Sequence, residues 1–392
     1  MYDSSLMALL TAQEVSYGTD PGADYQGILL TEGADIQPVG AKIDRKVMTS
    51  HRSALGSVIG AKGWNLTIPC ELKGGGLTGS ALNKPEFDHL LQASAMGVTA
   101  GCVITLSGVS GSWEAGEVVT NTTTSGTVGT LLNVVVSGSN TTLFIHPLDT
   151  KPSDTDSLAG ATSAATGTVS GAPADSWVYY PLSDHAAYKS ATAHFHWDGV
   201  RHIATGLRAD WEVTAEVSGY AAIKFTGQGV YNDPTNIALP SPALNGVLPP
   251  VVQNAGLQII NDGSTVDMSK TAVKSLQLKG GNQIKERNDM NAIDGRRSIE
   301  ILGARQASGS IDPEVMALAD FDIWTAWKDA TTQRLYATLG ADAGNRVHLL
   351  VTNAQADEVK YQDRDGTLAY NLPFTPRALT SAGNDEYFLV FY

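Results

Sequence analysis

The sequence predicts a mainly β protein in which one kind of domain is used twice, each copy with one flanking helix, and a small third β domain is inserted into the first copy. Three observations lead there. Gly occupies 40 of 392 positions and is accompanied by many Thr, Ser and Val, a composition of short strands joined by turns. Short segments recur in the same order: Leu29-Leu30-Thr31-Glu32-Gly33 as Ile259-Ile260-Asn261-Asp262-Gly263, and Lys84-Pro85-Glu86-Phe87 with Leu90 as Asp312-Pro313-Glu314-Val315 with Leu318, at offsets of 230 and 228. Between them Leu66-Thr67-Ile68 lines up with Ile299-Glu300-Ile301 at 233. Later the offset drops to 147, where Ala209-Asp210-Trp211-Glu212-Val213 matches Ala356-Asp357-Glu358-Val359 with one gap, so the first copy holds about 80 extra residues (230 − 147).

These offsets divide the chain. Residues 1–100 and 175–240 form a discontinuous first domain, 101–174 the insertion, 241–250 a linker and 251–392 the second domain. After an irregular lead-in over residues 1–26, two strands flank a long polar excursion at 45–63, matched in the second copy by 280–297. A helix follows Pro85 and Glu86, with Phe87, Leu90, Leu91 and Met96 spaced for one buried face. In the second copy Asp312 is the expected N-cap, with Pro313 in the first turn and Glu314 near the positive end of the dipole. The insertion is nearly devoid of Lys and Arg. Within it Thr124-Ser125-Gly126-Thr127-Val128-Gly129-Thr130-Leu131 resembles Thr162-Ser163-Ala164-Ala165-Thr166-Gly167-Thr168-Val169, 38 residues on, which points to a small β-sandwich or barrel. From Leu207 to Val217, Trp211, Val213, Ala215 and Val217 alternate with Asp210, Glu212, Thr214 and Glu216, one face core and the other carboxylates. Such a row must face water, either as an ordinary solvated surface or as the lining of an aqueous channel. Pro240-Ser241-Pro242 and Leu248-Pro249-Pro250 bracket a semi-rigid linker. Antiparallel strands close each copy.

A formal charge of −14 argues against binding nucleic acid by neutralising phosphates. Cys70 and Cys102 have no metal-ligand spacing and read as reduced, buried thiols of a protein made in a cytoplasm. No basic start precedes the short apolar run Leu6–Leu10, and no stretch is long and apolar enough to span a membrane. No nucleophile elbow or phosphate loop is present, and Lys73-Gly74-Gly75-Gly76 and Lys279-Gly280-Gly281-Asn282 read as turns. His194 and His196, with Asp198, His185 and His202 nearby, share a strand face in a geometry a metal accepts, yet Phe195 and Trp197 opposite them make an ordinary half-buried strand. Asp198-Gly199 reads as the hairpin turn. No catalytic, cofactor-binding or metal-binding residue is assigned. Both excursions are basic, through Lys42, Arg45, Lys46, His51 and Arg52 in the first and Lys285, Arg287, Arg296 and Arg297 in the second. Either they meet an acidic surface on a neighbouring copy, or they are polar hairpins without a partner.

Three passages resemble the tail tube (major tail) proteins of long-tailed bacteriophages. The opening Leu9-Leu10 with Glu14-Val15-Ser16-Tyr17-Gly18-Thr19-Asp20-Pro21 is one, and Gly63-Trp64-Asn65-Leu66-Thr67-Ile68 followed by Lys84-Pro85-Glu86-Phe87-Asp88-His89-Leu90-Leu91 the second. The third is Tyr220-Ala221-Ala222-Ile223-Lys224-Phe225-Thr226-Gly227-Gln228-Gly229-Val230-Tyr231 with Asp233-Pro234-Thr235. The resemblance implies a β-sandwich or split barrel with a flanking helix, whose inner strands join across subunits into a tube. Two fused copies imply a trimeric ring with pseudo-sixfold symmetry, stacked into the virion tail after assembly in the host cytoplasm. Asp210, Glu212, Glu216 and Glu358 would face a lumen that passes viral DNA without tight binding, although Lys360 interrupts the second row. Arg45, Lys46, Arg52, Lys285, Arg287, Arg296 and Arg297 would reach the adjacent ring. Implied partners are further copies, the tape measure, the terminator and the baseplate. The insertion would decorate the outside, touching host-surface glycans weakly or nothing. The alternatives are another tail component of the same fold (terminator or baseplate-proximal ring), a surface adhesin or glycan-binding protein, and a glycan-active enzyme using an acidic pair.

Overall fold

A computed structural model describes residues 3, 6–53, 55–261, 264–292 and 295–392. Asp262-Gly263, the end of the first repeated motif, lie outside the described residues. The protein is mainly β, with 28 strands and two six-residue α-helices among the described residues. The alternation that makes these strands is plain in Ala222–Tyr231, where Ile223 and Phe225 enter the core while Lys224 and Thr226 stay outside.

In the first half the strands pair in the order Asp35–Ile43, Val58–Glu71, Ala222–Tyr231, Val200–Glu216, with Ile36, Leu66, Gly227 and Ala209 side by side across the ladder. In the second half the order is Val273–Lys279, Ser308–Pro313, Thr367–Pro376, Val347–Ala356, with Leu278, Gly309, Phe374 and Ala356 side by side. The last strand of each order also pairs with further strands: residues 200–207 with Ala191–Trp197, which pairs with Met7–Gln13, and residues 347–355 with Thr332–Leu339, which pairs with Gln258–Asn261. The two runs of strands meet edge to edge. Glu212–Glu216 pairs antiparallel with Ser275–Lys279, putting Val213 opposite Leu278. A second seam joins Trp177–Tyr179 to Leu389–Phe391. Both halves therefore contribute to one apolar core, in which Trp211, Phe225, Phe87, Leu278, Phe374 and Phe391 are buried.

Residues 96–169 form a closed circuit of six antiparallel strands: Met96–Ser110, Asn140–Leu148, Gly126–Ser137, Val118–Asn121, Ser157–Gly160 and Thr166–Val169, which returns to the first. Closure leaves the circuit without a free edge. Its own core holds Ile104, Leu106, Val119, Leu131, Leu143 and Leu158. Another apolar cluster, with Val103, Leu132 and Phe144 of this unit and neighbouring Val178 against Tyr336, Leu350, Phe388 and Val390, fixes this unit to the second half.

The first helix, Asp88–Ala93, follows Pro85-Glu86-Phe87 and buries Phe87, Leu90 and Leu91. The second is not where Asp312-Pro313 predicts it. Those residues end the strand Ser308–Pro313, and the Asp312 carboxylate accepts the N–H groups of Lys274 and Ser275 on the neighbouring strand and pairs with Arg364 at 3.0 Å. The helix is Ile323–Lys328, capped by Asp322, whose carboxylate accepts the Thr325 N–H at 2.9 Å. An Asp that satisfies backbone N–H groups suits a strand end as well as a helix start, so local chemistry does not separate the two.

Residues 241–250 have no helix or strand, yet they are pinned. Lys73, 1% exposed, donates to the Asn245 carbonyl at 3.1 Å, and Asn345 Nδ2 donates to the Leu248 carbonyl at 2.8 Å. Glu71 (3.2 Å) and Glu86 (3.8 Å) balance the buried ammonium, and burial holds the Glu86 carboxyl above its usual range against the pull of Lys73. The adjoining glycines are packed rather than merely turning: a Cβ on Gly74 would lie 2.1 Å from the Gly344 carbonyl oxygen. Gly74→Ala is expected to lower stability by about 1–3 kcal/mol through overpacking. Gly56→Ala, where a Cβ meets nothing within 4 Å, is expected to stay within about 0.5 kcal/mol. Urea denaturation midpoints of both variants check this.

Candidate functional site: the polar face of the joined sheet

The seam between the halves decides which side chains share a face. Along Val200–Glu216, Ala209, Trp211, Val213 and Ala215 enter the core, so Arg208, Asp210, Glu212, Thr214 and Glu216 project from the opposite face. The register places Lys224 opposite Glu212 and Thr226 opposite Asp210 on one side. Across the seam it places Lys279 opposite Glu212, Gln277 opposite Thr214 and Ser275 opposite Glu216.

Of the four predicted channel-facing carboxylates, Asp210 does not face water. It is 9% exposed and accepts the Asn282 N–H at 2.9 Å, and burial raises its pKa. Its cover is the second excursion, a hairpin of Ile284–Asn288 with Arg296–Ile301 that folds back over the first half. Glu300 approaches Arg208 at 3.7 Å, and Ile284 shares with Thr67, Thr226 and Gln228 the wall of a hollow of about 330 Å³. Glu212 is open but paired with Lys224 at 2.9 Å, and that lysine holds its carboxyl below the usual range. Glu216 pairs with Lys274 at 2.9 Å, and Glu358 with Lys360 at 2.7 Å. Instead of an uninterrupted acidic stripe, the face is a hydrophilic surface of Thr, Ser, Gln and Asn on which Glu212, Glu216 and Glu358 each have a lysine beside them. Opposite charges at cross-strand positions attract, and neighbouring strands supply the lysines beside Glu212 and Glu216, whereas Lys360 lies two residues along the chain from Glu358.

The basic excursions differ from one another. In the first, Arg45, Lys46 and Arg52 are exposed on the segment 44–57 at the end of the long hairpin Asp35–Ile43 and Val58–Glu71. Val39, Ile43, Val47, Met48, Val58 and Ile59 are exposed there as well. Reading the loop as basic overlooked this apolar content, although the residues were visible in the sequence. In the second, Lys285 and Arg287 are exposed, and Arg297 is exposed but lies 3.6 Å from Asp289. Arg296 corrects the expectation of an outward arm: it is buried, donating to the Lys62 carbonyl at 3.0 Å and pairing with Glu286 at 2.8 Å.

The opening segment carries the anchor of this hairpin. Tyr17 accepts the Ile299 N–H at its hydroxyl, its ring lies under Arg208 at 5.6 Å, and burial pushes its hydroxyl up to about 12. Glu14 is buried with its carboxylate satisfied by Ser190, Thr192 and the N–H groups of Gly18 and Gly206, each at 2.7 Å. Nothing in the local pattern announces these partners, which lie up to 282 residues away.

His194 Nε2 donates to the Asp20 carboxylate at 2.8 Å and its ring stacks on Tyr25, whereas both ring nitrogens of buried His196 lack a partner. His202 packs edge-on to Trp64, and His185 sits apart in a 3-10 turn. Asp198 and Gly199 form the two-residue turn, both at positive φ. Among the described residues, no group of three or more His, Cys, Asp or Glu is arranged to hold a metal ion. Cys70 and Cys102 are free and buried. Trp113 and Phe144, the two aromatic residues (Phe, Trp, Tyr) of 101–174, are buried too, so the insertion presents no aromatic platform for stacking a sugar. No helix among the described residues is long and apolar enough to cross a membrane. No family model matches the chain, and no curated protein matches it either.

Burial depresses the imidazoles of His146 and His196 to about 4 and that of His348 to about 3. Each folded value lies below the unfolded one. The unfolded chain therefore takes up protons first, and stability is lost as pH falls from about 6.5 through 4. Thermal melts between pH 7.5 and 3.5 are expected to show a falling midpoint in that window. His348→Gln, which keeps a polar group beside Asn133 and Thr338, is expected to flatten the acid side of the curve.

Proposed function

We propose that this protein is a tail tube protein of a long-tailed bacteriophage, its two halves acting as two fused tube domains and its sheet lining a conduit for DNA. The observation that carries this reading is the seam. Two runs of strands with the same pairing order are joined edge to edge inside one chain, through Glu212–Glu216 and Ser275–Lys279. The same geometry is then available at both outer edges. Lys360–Arg364, which continues Val347–Ala356 alongside Thr367–Pro376, is the counterpart of Glu212–Glu216. Residues 33–37, leading into Asp35–Ile43, are the counterpart of Ser275–Lys279 by the matched ladder of Ile36 and Leu278.

Joining one chain's Lys360–Arg364 to the next chain's residues 33–37 is a heterologous contact, and such contacts generate closed rings when the rotation closes. Three chains would place six related units around one axis. The balanced polar face suits the passage of DNA, since a surface without clustered cations releases no counterions and gains little affinity from phosphate contact. The six-stranded insertion, fixed to the second half by its apolar cluster, is then a rigid projection of the ring.

Negative-stain electron microscopy of the purified chain across concentration and salt tests this. Three-lobed rings stacked into hollow tubes are the expected result. Single rings that never stack would assign the chain to a terminator or baseplate-proximal ring instead. Monomers under all conditions would overturn both assignments.

A further inference from the structure

The two excursions leave matched points of the two halves and are almost equally long. Between Gln37 and Leu66 lie 28 residues, and between the corresponding Lys279 and Gly309 lie 29. Their fates are opposite. The second folds back onto the first half, where Asn282 reaches Asp210, Glu300 reaches Arg208 and Arg296 reaches the Lys62 carbonyl. The first stays extended, with Ile43 and Val58 each 55% exposed and Ile59 61% exposed. The difference is one of position in the chain: the second excursion has a preceding half to lie on, and the first has none. Correspondingly, the face of the second half that matches Arg208 and Asp210 is uncovered. There Arg377 donates to Gln355 at 2.8 Å and Thr375 to Asp357 at 2.8 Å, all in exposed surroundings.

From this juxtaposition we infer that the first hairpin, Asp35–Ile43 with Val58–Glu71, docks across the second half of a neighbouring copy within the same ring, as Ile284–Ile301 docks across the first half within the chain. The inference rests on the ring reading above and replaces the expected contact with an adjacent ring. The receiving face has the matching chemistry. On that face Gln355, Asp357, Asn371 and Thr375 alternate with the core residues Ala354, Leu372 and Phe374, so it is an open polar surface. Asp357, whose carboxylate accepts the Thr375 hydroxyl, offers negative charge to Arg45 and Lys46. Burying the exposed valines and isoleucines of the arm supplies the driving force, and the charges set its orientation. Counted back from the matched Leu66 and Gly309, Ser57 takes the place of Glu300, and Gln355 takes that of Arg208.

The test is chemical cross-linking of the full chain carrying Ser57→Cys and Gln355→Cys together, with a short bismaleimide. The native thiols Cys70 and Cys102 are buried, and burial raises the pKa of both, so the unsubstituted chain supplies the background. A ladder ending at a closed trimer is expected. In parallel, Ile43→Asp with Ile59→Asp alters only exposed side chains and should leave the melting profile unchanged, while raising the concentration needed for ring formation at least about tenfold. Rings that form normally in this variant, or cross-links that run on beyond three chains, would overturn the inference and leave the ring reading standing. Monomers throughout, in wild type and variants alike, would overturn both.

Discussion

One five-residue antiparallel seam organises this molecule. Because Glu212–Glu216 pairs with Ser275–Lys279, the two halves cannot behave as beads on a flexible string; they share a sheet and a core. The seam sets which faces coincide, and so which charges meet. It also leaves the outer edges unpaired, and an unpaired edge of this kind is either blocked or used. The internal seam shows one geometry in which an edge of this kind is paired.

The remaining contacts stop the halves from slipping relative to the seam. Lys73 grips the linker through the Asn245 carbonyl, and the close approach of Gly74 to Gly344 locks the same corner. At the other end Tyr17 and Arg296 hold the second excursion against the first half. These are buried polar groups with their hydrogen bonds made, costly to break one partner at a time. They position a surface rather than carry out chemistry.

On that surface the notable property is balance. A chain of net charge −14 has ample carboxylate to line a channel, yet Glu212, Glu216 and Glu358 each stand beside a lysine and Asp210 is covered. The excess negative charge lies elsewhere.

How much of this was legible in the sequence can be argued residue by residue. The mainly β class followed from composition and from period-two alternation, and the inward side of Trp211, Val213 and Ala215 from alternation alone, whereas Val217, expected on the same side, lies past the strand end and is exposed. The first helix was readable because Phe87, Leu90 and Leu91 repeat at helical spacing, although Met96, expected on the same face, begins the next strand. The second was misplaced because Asp312 satisfies N–H groups of another strand, which no local pattern encodes. Likewise the burial of Asp210 and Arg296 and the partners of Glu14 depended on segments tens to hundreds of residues away. Sequence by itself determined periodicity, turn chemistry and the total of the charges, because these are properties of near neighbours along the chain. Tertiary structure alone decided which carboxylates keep a partner, which excursion folds back and which stays free, because burial and pairing are set by contacts between distant strands.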